Sequence, residues 1–357
     1  MIEGFLAIIL TLLLVVGLHE AGHAIAARFF NVKIKRISIG FGKPLIRWQS
    51  KSGIEWIWAL LPLGGYVQLL NSRIEPVEKK DYIHCFDKQP AYVRIIILLA
   101  GVIVNLLTAW LALLLVFSIG VFHYPPQVKS VQAESLAAES GLQKGDRILA
   151  IEGQETPSWR QVGMRLMIAM GEKKVAVKVH NEAGDTRLLH FDLSHWFLKP
   201  RDNSLFDSLG FQPDVSVKKR RLAADSFLDA ISRATAQMTE TLYFFIIMFK
   251  LLFTGKIPFT SLLGPIGMFS VSISSFMEGV AVFMSFIATF SLAVALANIF
   301  PIPGLDGGSI LYTIIEKIRG KPMSVALEIL LFRLAMIVFF VILLNLLAND
   351  LHRYAQG

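Results

Sequence analysis

The sequence predicts an α-helical membrane protein with four transmembrane helices, a membrane-associated β-loop after the first, and one inserted α+β domain. Three observations carry this expectation. Four apolar runs are each long enough, at about 1.5 Å per residue, to cross a hydrocarbon core of about 30 Å. Between the second and third lies a charged, mixed stretch, residues 127–215, of a size that suits one small domain. The 357 residues are 54% hydrophobic yet 17% charged. That is too apolar for an ordinary soluble domain and too mixed for a bundle of spans alone.

The first run, Phe5 to Phe30, is nearly uncharged until Arg28, apart from His19, Glu20 and His23. No Lys or Arg precedes it, unlike a cleaved signal peptide. Lys33, Lys35, Arg36, Lys43, Arg47 and Lys51 follow it, so the positive-inside rule puts the N-terminus outside and this flank in the cytoplasm. Residues 34–70 read as short strands, with Ile37, Ile39, Ile54, Trp56 and Trp58 among turn residues. The pair Gly64-Gly65 either lets another backbone approach closely or marks an ordinary bend.

The second run, about Tyr92 to Phe122, carries Gly101 and Asn105 four apart. An Asn inside a span needs a partner, so this face should look into the protein. The insert follows, with alternating stretches such as Val175-Ala-Val177-Lys-Val179. Residues 242–253 are apolar but short and interrupted by Lys250, which suits a helix lying on the membrane surface. The third span is about Val280–Phe300, and the fourth about Ala326–Leu347, with Arg333 near one end where it can snorkel. The expected organisation is an N-terminal membrane part (1–122), the inserted domain (123–216), a membrane-associated amphipathic region (217–279) and a C-terminal membrane part (280–357).

The net charge of +8 is accounted for by basic flanks of spans, and no nucleic-acid module or partner is expected. The single cysteine, Cys85, excludes an internal disulfide framework.

Histidines at i and i+4 share a helix face, so His19 and His23 can point at one ion. Zinc accepts imidazole nitrogen and carboxylate oxygen, and a catalytic site keeps a position for water. Glu20, next to the first ligand, can take a proton from that water. A structural polar cluster, or a metal or proton transport site, would use the same residues. Two histidines leave the protein one ligand short. Asn298-Ile-Phe-Pro301-Ile-Pro303-Gly-Leu305-Asp306-Gly307-Gly308 breaks the helix after the third span and supplies Asp306, although alone it could be a loop at a span end.

With these motifs together, the chain resembles the site-2 protease family of intramembrane zinc metalloproteases over nearly its whole length. His19, Glu20 and His23 match the family's metal motif, and Asn298, Pro301, Pro303, Leu305 and Asp306 match its second motif. The resemblance implies bound Zn2+ held by His19, His23 and Asp306, with Glu20 catalytic. It implies that Asn298 contacts the substrate backbone, and that Gly64 and Gly65 belong to a membrane-reentrant β-loop that pairs with a substrate strand. Leu263-Gly264-Pro265-Ile266-Gly267 resembles the family's segment ahead of the third span. The family often has Gly-Pro-x-x-Asn in the second span, whereas Gly101-Val102-Ile-Val-Asn105 lacks the proline.

The insert resembles a PDZ domain in the bacterial strand order, through Ser140-Gly141-Leu142-Gln-Lys-Gly145-Asp146-Arg-Ile148-Leu-Ala-Ile151-Glu-Gly153. Leu209, Gly210 and Phe211 resemble the loop that receives a chain terminus, the alternative being that Gly210 is only a turn residue. Relatives carry two such domains in tandem, and this chain has room for one. The implied partners are the lipid bilayer and single-span membrane proteins, such as anti-sigma factors and remnant signal peptides. The implied location is a bacterial inner membrane, with the PDZ-like domain on the extracytoplasmic side.

Overall fold

The computed structural model describes residues 2–198, 204–259 and 262–356. Five of its helices are long and apolar enough to cross a membrane, one more than the sequence reading expects. The first, α1 (Ile2–Phe29), is continuous but opens into a π-helical turn at Leu12–Gly17, just ahead of His19. Strands β1 (Ile34–Gln49) and β2 (Glu55–Leu69) follow and form an antiparallel sheet.

Both strands are long enough to be used twice. Ile37 pairs with Val67 on one side and Trp56 on the other, while Trp48 pairs with Trp56. The spatial order is therefore 65–69, 34–39, 55–59, 44–49, and the segment 65–69 is an edge strand. Helix α2 (Ala91–Ile119) begins after Pro90 and stops at Gly120, whose φ of +83° is left-handed.

The chain falls into two compact units. One comprises Met1–Val116, Ala234–Met238 and Gly264–Gly357; the other comprises Phe117–Arg233 and Thr239–Leu263. In the second unit, β3 (Val121–His123), β4 (Val128–Val131), the short helix α3 (Leu136–Glu139), β5 (Arg147–Ile151) and β6 (Gln154–Glu155) come first. Then come α4 (Trp159–Ile168), β7 (Val175–His180), β8 (Thr186–Phe191), the short helix α5 (Leu205–Leu209), β9 (Phe211–Pro213) and β10 (Arg220–Leu222).

The main sheet has the antiparallel order β6-β5-β7-β8, and separate pairs form between β4 and β9 and between β3 and β10. Val175, Val177 and Val179 alternate into a core with Val162, Leu166, Phe191, Leu209 and Phe211, while Lys178 points out. That period of two is what the sequence pattern predicts.

The largest difference from expectation is α6 (Phe227–Phe253), the additional long helix. The apolar stretch 242–253 is only its second half. Ser226 caps the start by accepting from the Asp229 N–H at 3.1 Å, and no Gly or Pro interrupts it afterwards. Its apolar stripe has a destination within the same unit: Phe244, Ile247, Met248 and Leu251, at helical spacing, pack against the insert's core. Glu240, one turn earlier, pairs with Arg165 on α4 at 2.6 Å.

In the first unit, α7 (Pro265–Met277), α8 (Val280–Ile299), α9 (Asp306–Arg319) and α10 (Val325–Gln356) complete the chain. The start of α7 is held by α10. Buried Asp350 accepts from the N–H groups of Gly264 at 3.0 Å and Gly267 at 2.9 Å, so a carboxylate distant in sequence caps this helix. Farther along α7, Ser272 meets Thr11 of α1 at 2.8 Å between hydroxyls, both buried.

Candidate metal centre

His19, Glu20 and His23 are all buried on α1 after the π-helical turn. The third group arrives from the break after α8. Pro301 and Pro303 cannot extend that helix, and α9 starts at Asp306, directed back toward α1. The tight return needs glycine: a Cβ on Gly307 would lie 2.2 Å from the Ile299 carbonyl oxygen, and one on Gly308 2.2 Å from that of Ile302.

The structure brings the three sequence-predicted ligands together. Nε2 of His19 and Nε2 of His23 are 3.1 Å apart, and Oδ2 of Asp306 is 3.2 Å from the first and 3.3 Å from the second. These edges test whether zinc fits. Three corners of a tetrahedron around an ion with bonds of about 2.0–2.1 Å lie about 3.3 Å apart. The observed triangle has that size, and the donor set of two imidazoles and one carboxylate suits zinc. It is also the one such cluster among the described residues.

Helix α2 supplies the outer contacts. Nδ1 of His23 is 2.8 Å from the carbonyl oxygen of Ile97, so it donates there and leaves Nε2 as a lone pair for the metal. The side-chain amide of Asn105 lies 3.3 Å from Nδ1 of His19. Gly101 sits between, where a Cβ would come 2.3 Å from Nε2 of His23. Ile97, Gly101 and Asn105 are spaced by four, one stripe along α2. The sequence reading had Gly101 and Asn105 facing inward without naming what they face; the Ile97 carbonyl it missed, since no side chain signals a backbone acceptor.

Glu20 is beside this cluster, against the β-sheet. A Cβ on Gly65 would lie 3.1 Å from Cγ of Glu20, so the edge strand's backbone rests on the Glu20 side chain. Asn298 is half-buried in the last turn of α8, and its Nδ2 donates to the Val294 carbonyl at 3.1 Å. In the second unit, Leu209 and Phe211 are wholly buried core residues. Gly210 has a φ of +84°, and its N–H donates to the Asp207 carbonyl at 3.0 Å.

The family model described as peptidase family M50 matches residues 7–344, which includes every one of the metal-site residues. The chain belongs to peptidase family M50. It is 28% identical over 438 aligned positions to the regulator of sigma-E protease RseP of Escherichia coli K12, covering 97% of each chain. The corresponding protease of Salmonella typhimurium is 27% identical over 440 positions, covering 97% of this chain and 98% of the relative. A protein of Vibrio cholerae described as a putative zinc metalloprotease is 26% identical over 444 positions, covering 98% of each.

Membership of family M50 and the His19, His23, Asp306 triad together make this chain an intramembrane zinc metalloprotease. Zinc held by that triad supplies Lewis-acid activation of water and of a scissile carbonyl. The M50 relatives also carry residues with no counterpart here, because their alignments run longer than this chain.

Proposed function

We propose that this M50 protease hydrolyses a peptide bond in or near the transmembrane segment of single-span membrane proteins, with Glu20 as its general base. Glu20 takes the proton from the attacking water and delivers it to the leaving amine. The observation that carries this reading is the contact between Glu20 and the Gly65 backbone. A helical substrate hides its carbonyls in its own hydrogen bonds and must be drawn out as a strand. The segment 65–69 is a sheet edge whose main chain can accept a further strand, and the missing side chain of Gly65 lets that edge lie close against Glu20. A strand added there passes beside Glu20 and the metal ligands. Asn298, at the turn into the Asp306 loop, offers its free carbonyl oxygen or amide to the same extended backbone.

The proposed substrate classes are anti-sigma factors, in keeping with relatives named as regulator of sigma-E proteases, and remnant signal peptides, in a bacterial inner membrane. The insert serves as a single PDZ-like domain on the extracytoplasmic side, with Leu209-Gly210-Phe211 as its terminus-binding loop.

The test compares Glu20→Gln with wild type on one purified sample, measuring zinc content and cleavage of a tagged single-span protein. Full zinc occupancy with cleavage lost is expected. Cleavage near the wild-type rate would remove Glu20 as the base. Asp306→Asn, assayed beside it, is expected to lose both zinc and cleavage.

A further inference from the structure

The chain returns from the insert toward the membrane through Lys218-Lys219-Arg220-Arg221, and all four side chains are exposed. This run is fastened to the end of α2. Its strand β10 pairs with β3, Arg220 opposite His123 and Leu222 opposite Val121, and β3 starts one residue past Gly120. The Ala224 N–H donates to the Phe117 carbonyl at 2.8 Å, and the Arg221 guanidinium donates to the Ile119 carbonyl. A Cβ on Gly120 would lie 2.7 Å from Nε of Arg221. With 29 residues, α2 is about 43 Å long and overreaches a hydrocarbon core of about 30 Å. A helix of that length can bring its last turn, and whatever covers it, to the bilayer–water boundary.

The acids nearest in sequence are turned to other groups: Asp214 accepts from the Ser216 N–H at 2.9 Å, and Asp225 and Asp229 face Arg233 at 3.7 and 2.8 Å. Among the described residues no carboxylate pairs with any of Lys218, Lys219, Arg220 and Arg221. A fifth cation adds to them: Arg147 has a buried Nε without a hydrogen-bond partner. Burial, followed by the nearby charges of Arg147 and Arg220, holds the His123 imidazole below the usual histidine range. The ribbon is thus a concentration of positive charge that the protein itself does not neutralise.

Its borders are apolar and aromatic. Phe122 on β3, and Phe227 and Leu228 at the start of α6, are exposed, and the Lys219 ammonium lies 4.9 Å from the ring centre of Tyr124. Exposed aromatic residues beside unpaired cations at the end of a span suit the headgroup layer, where phosphates lie next to buried acyl chains.

We propose that the β3–β10 ribbon is a binding surface for anionic phospholipid headgroups. Lys218, Lys219 and Arg220 take the phosphates, while Phe122, Phe227 and Leu228 enter the interfacial layer. The binding is electrostatic and weakens with salt.

The test is hydrogen exchange on the full chain in nanodiscs of phosphatidylcholine alone or with one third phosphatidylglycerol. Peptides covering 216–224 are expected to exchange several-fold more slowly in the anionic discs. That protection should vanish in high salt and in Lys218→Gln/Lys219→Gln/Arg220→Gln, while peptides from β7 and β8 exchange alike throughout and show the variant to be folded. Equal exchange of 216–224 in the two wild-type discs would overturn the proposal. So would equal protection in neutral discs given inorganic phosphate, which would mark a small-anion site and not a lipid surface.

Discussion

The amide of Asn105 meets Nδ1 of His19 at 3.3 Å, on the side of the imidazole away from the metal-facing Nε2. When Nε2 is given to zinc, Nδ1 keeps the ring proton and requires an acceptor. The atom in contact is Nδ2, a donor; turning the amide over brings Oδ1, which is buried and without a hydrogen-bond partner, to that place as the acceptor. Asn105→Ala is therefore expected to lower zinc affinity by about 10- to 100-fold, the usual loss when a ligand's outer partner is removed. Competition with a chelator measures this, and Asn105→Asp should recover most of it. An affinity indifferent to both changes would separate Asn105 from the site.

Gly101 makes a steric prediction. The first carbon of any side chain there would overlap His23, so Gly101→Ala should cost most bound zinc and cleavage. The overlap is with buried protein atoms, so the zinc-free variant should also be less stable than wild type, by about 1–3 kcal/mol, the usual cost of overpacking. Full zinc content in this variant would mean that α2 can stand farther from α1.

Asp350 makes a prediction about stability. It is buried, and its two hydrogen bonds to Gly264 and Gly267 are charge-assisted. Asp350→Ala strands two backbone N–H groups at the start of α7 and should destabilise the protein by about 2–4 kcal/mol. Asp350→Asn keeps one acceptor and should lie between. Unfolding in mild detergent, followed with and without zinc, checks the order of the three.

Topology supplies the fourth prediction. His19 and His23 lie in the later half of α1, and Asp306 lies just after α8, so both helices must run in the same direction through the membrane for one ion to be shared. The expected arrangement is one in which α6, whose apolar stripe packs on the insert's core, does not cross. In a Cys85→Ser background, single cysteines at the exposed positions Ser226 and Ser274 should both react with an impermeant reagent from outside. Labelling of one from each side would break this arrangement.

The metal ligands were legible in the sequence because the chemistry is local: two histidines a turn apart, and an aspartate at a break that only a polar pocket tolerates. Three of the four expected spans appear within a few residues of their predicted limits, and the fourth helix runs on past Leu347 to Gln356. The extent of α6 was not legible. Its apolar half reads as a membrane-surface helix until the core it covers is known, and Lys250 conceals that Phe244, Ile247, Met248 and Leu251 form one face. The double use of β1 and β2 was also hidden, since pairing depends on bends at Gly40 and Gly64 (φ +90° and +149°) that alternation does not encode. Asp350 gave no signal at all, because a partner 86 residues away along the chain leaves no local pattern.

The π-helical turn at Leu12–Gly17 sets the angular phase between the two halves of α1. The early half, through Thr11, meets Ser272 of α7, and the later half presents its histidines to α2 and Asp306. One extra residue in a turn rotates everything downstream by about 100° relative to an unbroken α-helix. Deleting any single residue from Leu12 to Val16 would leave a run just as apolar and still long enough to span. It would nevertheless unscrew the catalytic face from its partners, a lesion invisible to hydropathy and fatal to geometry.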